Sequence, residues 1–176
     1  MNKGEQIYSG EIKAALLAMF RYGRQTGIVV PECVGADIFV INGKNHGIEI
    51  EIKTSMADLR HDKIKPKWEY MWTGVNKYGE VNFRPNYFYY CVPESLEIPA
   101  WEYIQTLDER IGLYVYRYRH SRTATGLAQT DCIKSIRKAG MIHNKEIDDN
   151  RKLKIMRRLS AEIAIQYFNN YLRGTQ

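Results

Sequence analysis

Apolar and polar residues follow two different periods along the chain, and each period predicts one type of element. Between residues 8 and 22, apolar residues recur from Ile12 at i, i+3, i+4, i+7 and i+8, which predicts an amphipathic helix. Ser9 is its expected N-cap and Gly23 the residue just after its end. A last long helix is expected over residues 150–172. Its expected apolar face consists of Met156, Leu159, Ile163 and Tyr167.

Short apolar runs separated by turn residues predict a set of strands. A helix is expected over residues 54–63 with Thr54 or Ser55 as its cap, and another short helix after Pro99. The expected strands are GIVVPE at 27–32, with Pro31 ending it or placing it at an edge, ADIFVI at 36–41, GIEIEIK at 47–53, NYFYYCVP at 86–93, GLYVYRY at 112–118 and a short strand through Ile133 and Ile136. This order predicts an α/β fold in which a mixed central sheet is flanked by helices.

The hairpin between the second and third strands decides where two carboxylates lie. Asn42-Gly43 is a strong turn signal. If the loop runs from Asn42 to His46, Ile41 pairs with Gly47, and Asp37 stands opposite Glu51 on the same face of the sheet. A two-residue Asn-Gly turn would pair Asp37 elsewhere, so the pattern alone leaves the register open.

Composition bounds the class of protein. With 176 residues, 44% of them hydrophobic, we expect one domain over residues 1–176, made of a core at about 8–118 and a basic C-terminal extension at about 119–176 packed on it. Three widely spaced cysteines without a CxxC pair indicate neither a zinc site nor a disulfide framework. The four histidines have no metal-ligand spacing and are expected at the surface. Because no signal peptide and no apolar run of about 18 residues is found, we expect a soluble cytoplasmic protein with no membrane partner.

Charge is unevenly distributed along the chain. Residues 1–116 hold 13 Lys and Arg against 15 Asp and Glu, whereas residues 117–176 hold 13 against 5. A basic C-terminal third favours a polyanionic partner, because Lys and Arg release counterions from a phosphate backbone. A solvated, solubilising charge run explains the same pattern equally well.

Asp37, Glu51 and Lys53 form a combination with a definite chemistry. Two carboxylates from adjacent strands can hold a Mg²⁺ ion, and a lysine two residues beyond Glu51 lies on the same strand face. That lysine can orient a water molecule and offset the charge that grows on a phosphorane. The tripeptide alone is weak support, because Glu-Ile-Lys occurs again at Glu11–Lys13 in a predicted helix, and charges on one strand face also describe an ordinary solvent-exposed sheet.

The order and spacing of several short motifs narrow the interpretation. The pattern VPE, ADIFVI, GIEIEIKTSMADLR and NYFYYCVPE resembles the PD-(D/E)XK nuclease superfamily, and most of all its MmcB-like branch of DNA-repair nucleases. The resemblance runs from about residue 10 to 172 and implies a restriction-endonuclease-like fold, a divalent metal (Mg²⁺ or Mn²⁺) and a nucleic-acid substrate. It implies that Asp37 and Glu51 are metal ligands, together with the backbone carbonyl of Ile52, and that Lys53 is the catalytic lysine.

The resemblance leaves a further carboxylate open. Members of the superfamily often place a Glu on the first helix, which makes Glu11 a candidate, and Glu32 in the Pro-Glu pair competes with it. Glu49 is an extra carboxylate where such strands are usually apolar, so it either faces solvent or enlarges the metal site. The stretch between Trp68 and Tyr87 is longer than the pattern of the branch.

Other residues are candidates for substrate binding. Trp68 and Trp72 could stack on unpaired bases, although core packing is expected for at least one of them. The basic residues expected to bind nucleic acid are Arg60, Lys63, Lys65, Lys67, Arg151, Lys152, Lys154, Arg157 and Arg158. The leading hypothesis is a metal-dependent DNA endonuclease, with structure selectivity as one option, acting in repair, recombination or a mobile element. RNA as substrate and a homodimer stay open, and the alternative is an inactive nuclease fold that serves as a DNA-binding or accessory module.

Overall fold

A six-stranded mixed sheet forms the centre of the molecule. The computed structural model describes residues 9–24, 27–80, 83–117 and 132–173. The strands are β1 (Ile28–Cys33), β2 (Ala36–Ile41), β3 (Gly47–Ile52), β4 (Tyr87–Pro93), β5 (Gly112–Tyr116) and β6 (Ile133–Arg137). The helices are α1 (Ser9–Ala18), α2 (Met56–Asp62), α3 (Lys67–Tyr70), α4 (Glu97–Gln105) and α5 (Asp149–Arg173).

The strands lie side by side in chain order. β1, β2 and β3 form an antiparallel meander, β3, β4 and β5 run parallel, and β6 returns antiparallel to β5. Parallel neighbours require a crossover connection, which α2 and α3 supply between β3 and β4, and α4 between β4 and β5. The carboxyl ends of β3, β4 and β5 therefore meet at one edge of the sheet.

Each face of the sheet is covered by a different set of helices. Alternation along β3 sends Ile50 and Ile52 to one face, where they pack with Ile12 and Leu16 of α1. α2 and α4 pack on the opposite face, over β4 and β5, where Leu59 is buried. The basic helix α5 packs against β1. The predicted α/β fold, with its mixed sheet, flanking helices and long C-terminal helix, is confirmed.

Helix ends differ from the sequence prediction at two places. α1 is followed by a π-helical turn from Met19 to Gly23, closed by a hydrogen bond of 2.8 Å from the amide of Arg24 to the carbonyl of Met19. Gly23 thus lies inside this turn instead of following the helix. α4 begins at Glu97, so Pro99 lies in its first turn, where a missing backbone N–H costs little because these amides have no partner within the helix.

The buried face of α5 agrees with the predicted one at Leu159 and differs from it at Met156 and Ile163, while the side chain of Tyr167 lies outside the described ones. Ile155 is buried with 3% exposure and Leu159 packs beside it, whereas Met156 and Ile163 are 48% and 46% exposed. Among the side chains of α5 that the structure describes, the helix thus touches the body along a narrow strip and covers only a few apolar positions. Among the described residues, no helix has the length and apolarity needed to cross a membrane.

Two histidines lie inward rather than at the surface. His46 is buried, and His143 is half-buried within the segment that leads into α5. Nδ1 of His143 accepts a hydrogen bond of 3.1 Å from the amide of Lys145, so its Nε2, 3.2 Å from the carbonyl of Arg84, is the donor. Burial lowers the pKa of His143 and so favours the neutral ring. His61 is exposed as expected, and His120 lies outside the described residues.

Candidate active site

The hairpin has the longer loop, and this brings Asp37 and Glu51 to the same face. Ile41 pairs with Gly47 and Ile38 with Ile50, so one step further the register sets Asp37 opposite Glu51. The loop is closed by a hydrogen bond of 3.0 Å from the amide of Asn42 to the carbonyl of His46. Directly opposed residues of antiparallel strands have Cα atoms about 5 Å apart, so the two carboxylates are neighbours.

Asp37 lies half-buried near the start of β2. Its Oδ2 atom accepts a hydrogen bond of 2.7 Å from the backbone amide of Ile52. Burial raises the pKa of Asp37 above its ordinary value, against the lowering effect of this hydrogen bond, and the charge of Glu51 raises it further. Because a positive charge placed beside both carboxylates would relieve this repulsion, the pair suits a cation.

Lys53 is held between Glu51 and a carboxylate that the sequence analysis missed. Its Nζ atom lies 3.2 Å from Oε2 of Glu51 and 2.8 Å from Oδ1 of Asp62, the last residue of α2. Asp62 is fully buried, and the hydroxyl of Tyr90 donates to its Oδ2 atom over 2.8 Å. The one signal for Asp62 in the sequence is its spacing of three residues from Leu59, which would place both residues on one face of a helix.

Two of the lysines after α2 have their ammonium groups against carboxylates of the site. Nζ of Lys65 lies 2.6 Å from Oδ1 of Asp62 and 3.6 Å from Oε2 of Glu51. Nζ of Lys67 lies 2.9 Å from Oε1 of Glu49 and 2.7 Å from Oε1 of Glu51. Both lysines had been expected to bind phosphates, but the structure places their ammonium groups on carboxylates. We refer to this set as the acid–lysine cluster; it comprises Glu49, Glu51, Asp62, Lys53, Lys65 and Lys67.

Glu49 faces the same side of the sheet as Glu51 and is not exposed to solvent. It is 5% exposed, and its carboxylate contacts the ammonium group of Lys67. Burial raises the pKa of Glu49, and the nearby charge of Lys67 opposes that rise. Of the two placements left open for Glu49, the structure therefore shows the one that turns it towards the predicted site.

The two remaining candidate carboxylates lie at the surface. Glu11 is exposed in the first turn of α1. Glu32 is 54% exposed on β1, where its backbone takes a left-handed φ of 48°, and it forms an ion pair with Lys13. On α1, it is Lys13 whose charge acts on Asp37, and this positive charge opposes the rise in the pKa of that carboxyl. Catalytic roles for Glu11 and Glu32 stay predictions without a supporting contact.

The donor set fits one hard divalent cation held by two carboxylates. Mg²⁺ is commonly bound by one or two carboxylates, with water completing its octahedron. Each carboxylate oxygen has lone pairs for two partners, so the contacts of Glu51 with lysines leave acceptor capacity. Within the described ranges, no group of three or more His, Cys, Asp or Glu side chains is arranged to hold a metal. A site formed by Asp37 and Glu51, with the carbonyl of Ile52, therefore stays a prediction.

The positive and negative charges of the site nearly balance one another. With all groups ionised, the acid–lysine cluster is neutral, because its three carboxylates are matched by three ammonium groups. Asp37 lies beside the cluster and adds one negative charge. The positive charge of Lys13 on α1 also acts on Asp37 and offsets part of its charge.

Both tryptophans are half-buried and form part of the core under α4. Their rings lie 5.7 Å apart, and Trp68 also packs edge-on against Phe88. The guanidinium of Arg110 covers the ring of Trp72 at 4.5 Å. The core packing expected for at least one of Trp68 and Trp72 is thus found for both, and a stacking role on bases stays a prediction.

A groove extends from the acid–lysine cluster towards α5. A small cavity of about 70 Å³ is lined by Glu49, Lys67, Phe83 and Arg84, among others. A larger cavity of about 520 Å³ shares Phe83 and Arg84 with it and continues to Arg151, which also lines a third cavity beside Lys154. The three cavities thus adjoin one another at shared lining residues. Their basic lining residues are Lys67, Arg84, Lys145, Arg151 and Lys154, and their acidic ones are Glu49, Glu146 and Asp148.

The basic residues predicted to bind nucleic acid lie in different surroundings. The guanidinium of Arg151 stacks on the ring of Phe83 at 3.9 Å, and Lys152 pairs with Asp149. Arg60, on α2, and Lys63, just after it, are exposed. Lys154, Arg157 and Arg158 of α5 are exposed as well.

Comparisons with known proteins support the fold and give no information on activity. No protein-family model matches the chain, and no curated protein matches it. Among solved structures, it is similar to the SPO1766 protein of unknown function from Silicibacter pomeroyi, with a TM-score of 0.51 and 17% identity over 88% of this chain and 84% of that chain. At this identity the likeness supports the shared fold alone.

Proposed function

We propose that the protein is a metal-dependent nuclease that hydrolyses phosphodiester bonds in DNA. The observation that carries the proposal is the placement of Asp37 and Glu51 on one face of the sheet, with the ammonium group of Lys53 3.2 Å from Glu51. All three lie at the edge of the sheet where the parallel strands end, which is the usual place for ligand binding in such sheets. The resemblance to the PD-(D/E)XK superfamily names the same three residues.

Asp37 and Glu51 would hold the cation, with the carbonyl of Ile52 as a further ligand. When bound, Mg²⁺ or Mn²⁺ would polarise a phosphoryl oxygen and lower the pKa of a bound water. Lys53 is a fixed positive charge beside that position and can orient the attacking water or offset charge on the phosphorane. Asp62 fixes the direction of Lys53 through its contact of 2.8 Å and is thus a positioning residue.

The groove supplies a path for the substrate strand. It leads from Glu49 and Lys67 past Arg84 to Arg151 and the basic face of α5. Lysine and arginine side chains along such a path suit a phosphate backbone, and their contacts are independent of sequence. A DNA or RNA strand fits this chemistry equally well. Roles in repair, recombination or a mobile element, and a homodimer, stay predictions.

One observation favours the alternative of an inactive nucleic-acid-binding module. Both carboxylate oxygens of Glu51 already face an ammonium group, Oε1 that of Lys67 and Oε2 that of Lys53. Such internal neutralisation would also be found in a fold that has lost its metal and kept its groove. The two hypotheses make the same prediction for binding and opposite predictions for cleavage.

The decisive experiment measures binding and cleavage on one panel of substrates. Purified protein is incubated with duplex, single-stranded, flap and four-way DNA, and with single-stranded RNA, in Mg²⁺, Mn²⁺ or EDTA. We expect metal-dependent cutting that is lost in Asp37→Ala, Glu51→Ala and Lys53→Ala, while DNA binding is nearly unchanged. Asp58→Ala is the matched control, because Asp58 is exposed and 3.9 Å from Lys53. Binding without cleavage of any substrate would replace the nuclease proposal with the binding module.

A further inference from the structure

Lys67 reaches from the start of α3 into the buried face of β3. Its ammonium group lies 2.9 Å from Oε1 of Glu49, 2.7 Å from Oε1 of Glu51 and 4.0 Å from Oδ2 of Asp62. It also lies 5.0 Å above the ring centre of Phe88. The side chain is only 13% exposed, so this is a contact made within the protein and not a surface ion pair.

The two glutamates require a cation at this point. They are two residues apart on one strand, so both carboxylates project from the same face, and they are 5% and 3% exposed. Two buried carboxylates side by side cannot both stay ionised without a compensating positive charge. The ammonium group of Lys67 is that charge, since it bridges one oxygen of each.

We propose that the ammonium group of Lys67 is a built-in second cation of the candidate active site, standing where a two-metal nuclease would hold its second divalent ion. Two-metal sites hold their cations about 4 Å apart. Glu51 would be shared by both cation positions, because its Oε1 atom contacts Lys67 while Asp37, its partner in the proposed first site, stands opposite on β2. The role assigned to the first cation rests on the proposed function.

This arrangement gives Glu49 a role although only one metal ion is expected: Glu49 binds the ammonium group of Lys67. An ammonium group has three donors and one charge, so it holds Glu49 and Glu51 in place, but it cannot lower the pKa of a bound water as a metal does. Lys67 is accordingly a positioning residue. The protein should bind one divalent ion, and removal of the ammonium group should open a second site between Glu49 and Glu51.

The test counts bound Mn²⁺ per chain by calorimetric titration and by electron paramagnetic resonance of free Mn²⁺. We expect Lys67→Ala and Lys67→Ser to bind one more ion than the wild-type protein. Adding Glu49→Gln to Lys67→Ala should remove the extra ion, because the second site then loses one carboxylate. Lys65→Ala is the matched control: Lys65 also contacts the cluster, but it is 43% exposed and does not bridge the two glutamates. It should bind no extra ion.

The outcomes separate this inference from the proposed function. Wild-type protein with no bound ion and a Lys67 variant with one would contradict the nuclease proposal while supporting the role of Lys67. One ion in both proteins would overturn the role of Lys67 and leave the nuclease proposal intact. An equal gain in Lys65→Ala would overturn it as well, since any lost positive charge would then suffice. If the Lys67 variants unfold without metal, refolding in Mn²⁺, followed by circular dichroism, supports the inference, and failure to refold overturns it.

Discussion

Replacing Asp62 with asparagine tests whether the acid–lysine cluster holds the fold as well as the site. Asp62 is fully buried and accepts contacts of 2.8 Å from Lys53, 2.6 Å from Lys65 and 2.8 Å from the hydroxyl of Tyr90. Asparagine keeps the shape and can still accept from Tyr90. It removes the negative charge, so the buried ammonium group of Lys53 loses its nearest partner.

The expected cost follows from the burial of each partner. The side chain of Lys53 is 3% exposed, and breaking a buried ion pair by removing one partner costs about 3 kcal/mol or more. The side chain of Lys65 is 43% exposed, so solvent screens its share to less than about 1 kcal/mol. A loss of roughly 3 kcal/mol in the free energy of unfolding corresponds to a Tm lower by about 6–12 °C in a chain of this size.

Urea denaturation followed by circular dichroism measures the loss. With a slope near about 2 kcal/mol per molar urea, the midpoint should fall by about 1.5 M. Asp58→Asn is the matched control, because Asp58 is also on α2 but is 53% exposed and 3.9 Å from Lys53, and it should change stability by less than about 1 kcal/mol. Equal effects of the two substitutions would refute the view that burial of the charge network sets its contribution.

Asp62→Asn should also change how the stability of the protein depends on pH in the acid range. Burial alone would raise the pKa of Asp62, but the charge of Lys67 and the hydrogen bonds from Lys53, Lys65 and Tyr90 together lower it below its ordinary value. A lowered carboxyl pKa contributes stability that is present above the unfolded value of about 4 and is lost as the pH falls below it. The wild-type protein should therefore lose more stability below pH 4 than Asp62→Asn does, as measured by Tm across pH.

Three further predictions concern other parts of the molecule. The lowered pKa of His143 means that folding favours the neutral ring, so stability should fall as the pH drops below about 6.5. Tm measured across pH should fall less steeply in His143→Gln than in the wild-type protein, whereas His61→Gln should match the wild type. In Gly112→Ala the new Cβ would lie 2.3 Å from the ring of Tyr89, so urea midpoints should report a loss of about 1–3 kcal/mol; no measurable loss would contradict the packing at β5. Lys145 lines the large cavity, and Lys145→Ala should reduce the slope of log affinity for DNA against log salt concentration by the equivalent of about one phosphate contact, measured by fluorescence anisotropy. Lys134→Ala on β6 should leave this slope unchanged.

In the hairpin, the side chains that share a face were predictable from the sequence, whereas the pairing register was not. Alternation of Ile48, Ile50 and Ile52 with charged residues specifies which side chains share a face, and the confirmed pairing of Ile41 with Gly47 brings Asp37 opposite Glu51. The same alternation already implied that Glu49 turns to the face of Glu51. Only the family pattern, in which that position is apolar, made its direction uncertain.

The contributions from α2 and α3 could not be predicted with the same certainty. A basic residue in a sequence shows its charge but not its partner, so Lys65 and Lys67 were assigned to phosphates, whereas the structure pairs them with carboxylates. Asp62 lies on a helix of seven residues, too short for hydrophobic periodicity to identify its buried face reliably. In α5, contact along a narrow strip selects Ile155 over Met156, a choice that depends on how the helix sits against β1.

A crystal of the wild-type protein soaked in Mn²⁺ tests the central claim most directly, because the anomalous signal of manganese locates the ion. We expect one peak per chain within about 2.0–2.4 Å of carboxylate oxygens of both Asp37 and Glu51, with the ammonium group of Lys67 still between Glu49 and Glu51. No peak at a manganese concentration that supports cleavage, or a peak bound by other residues, would contradict the claim that Asp37 and Glu51 share one divalent cation beside Lys53.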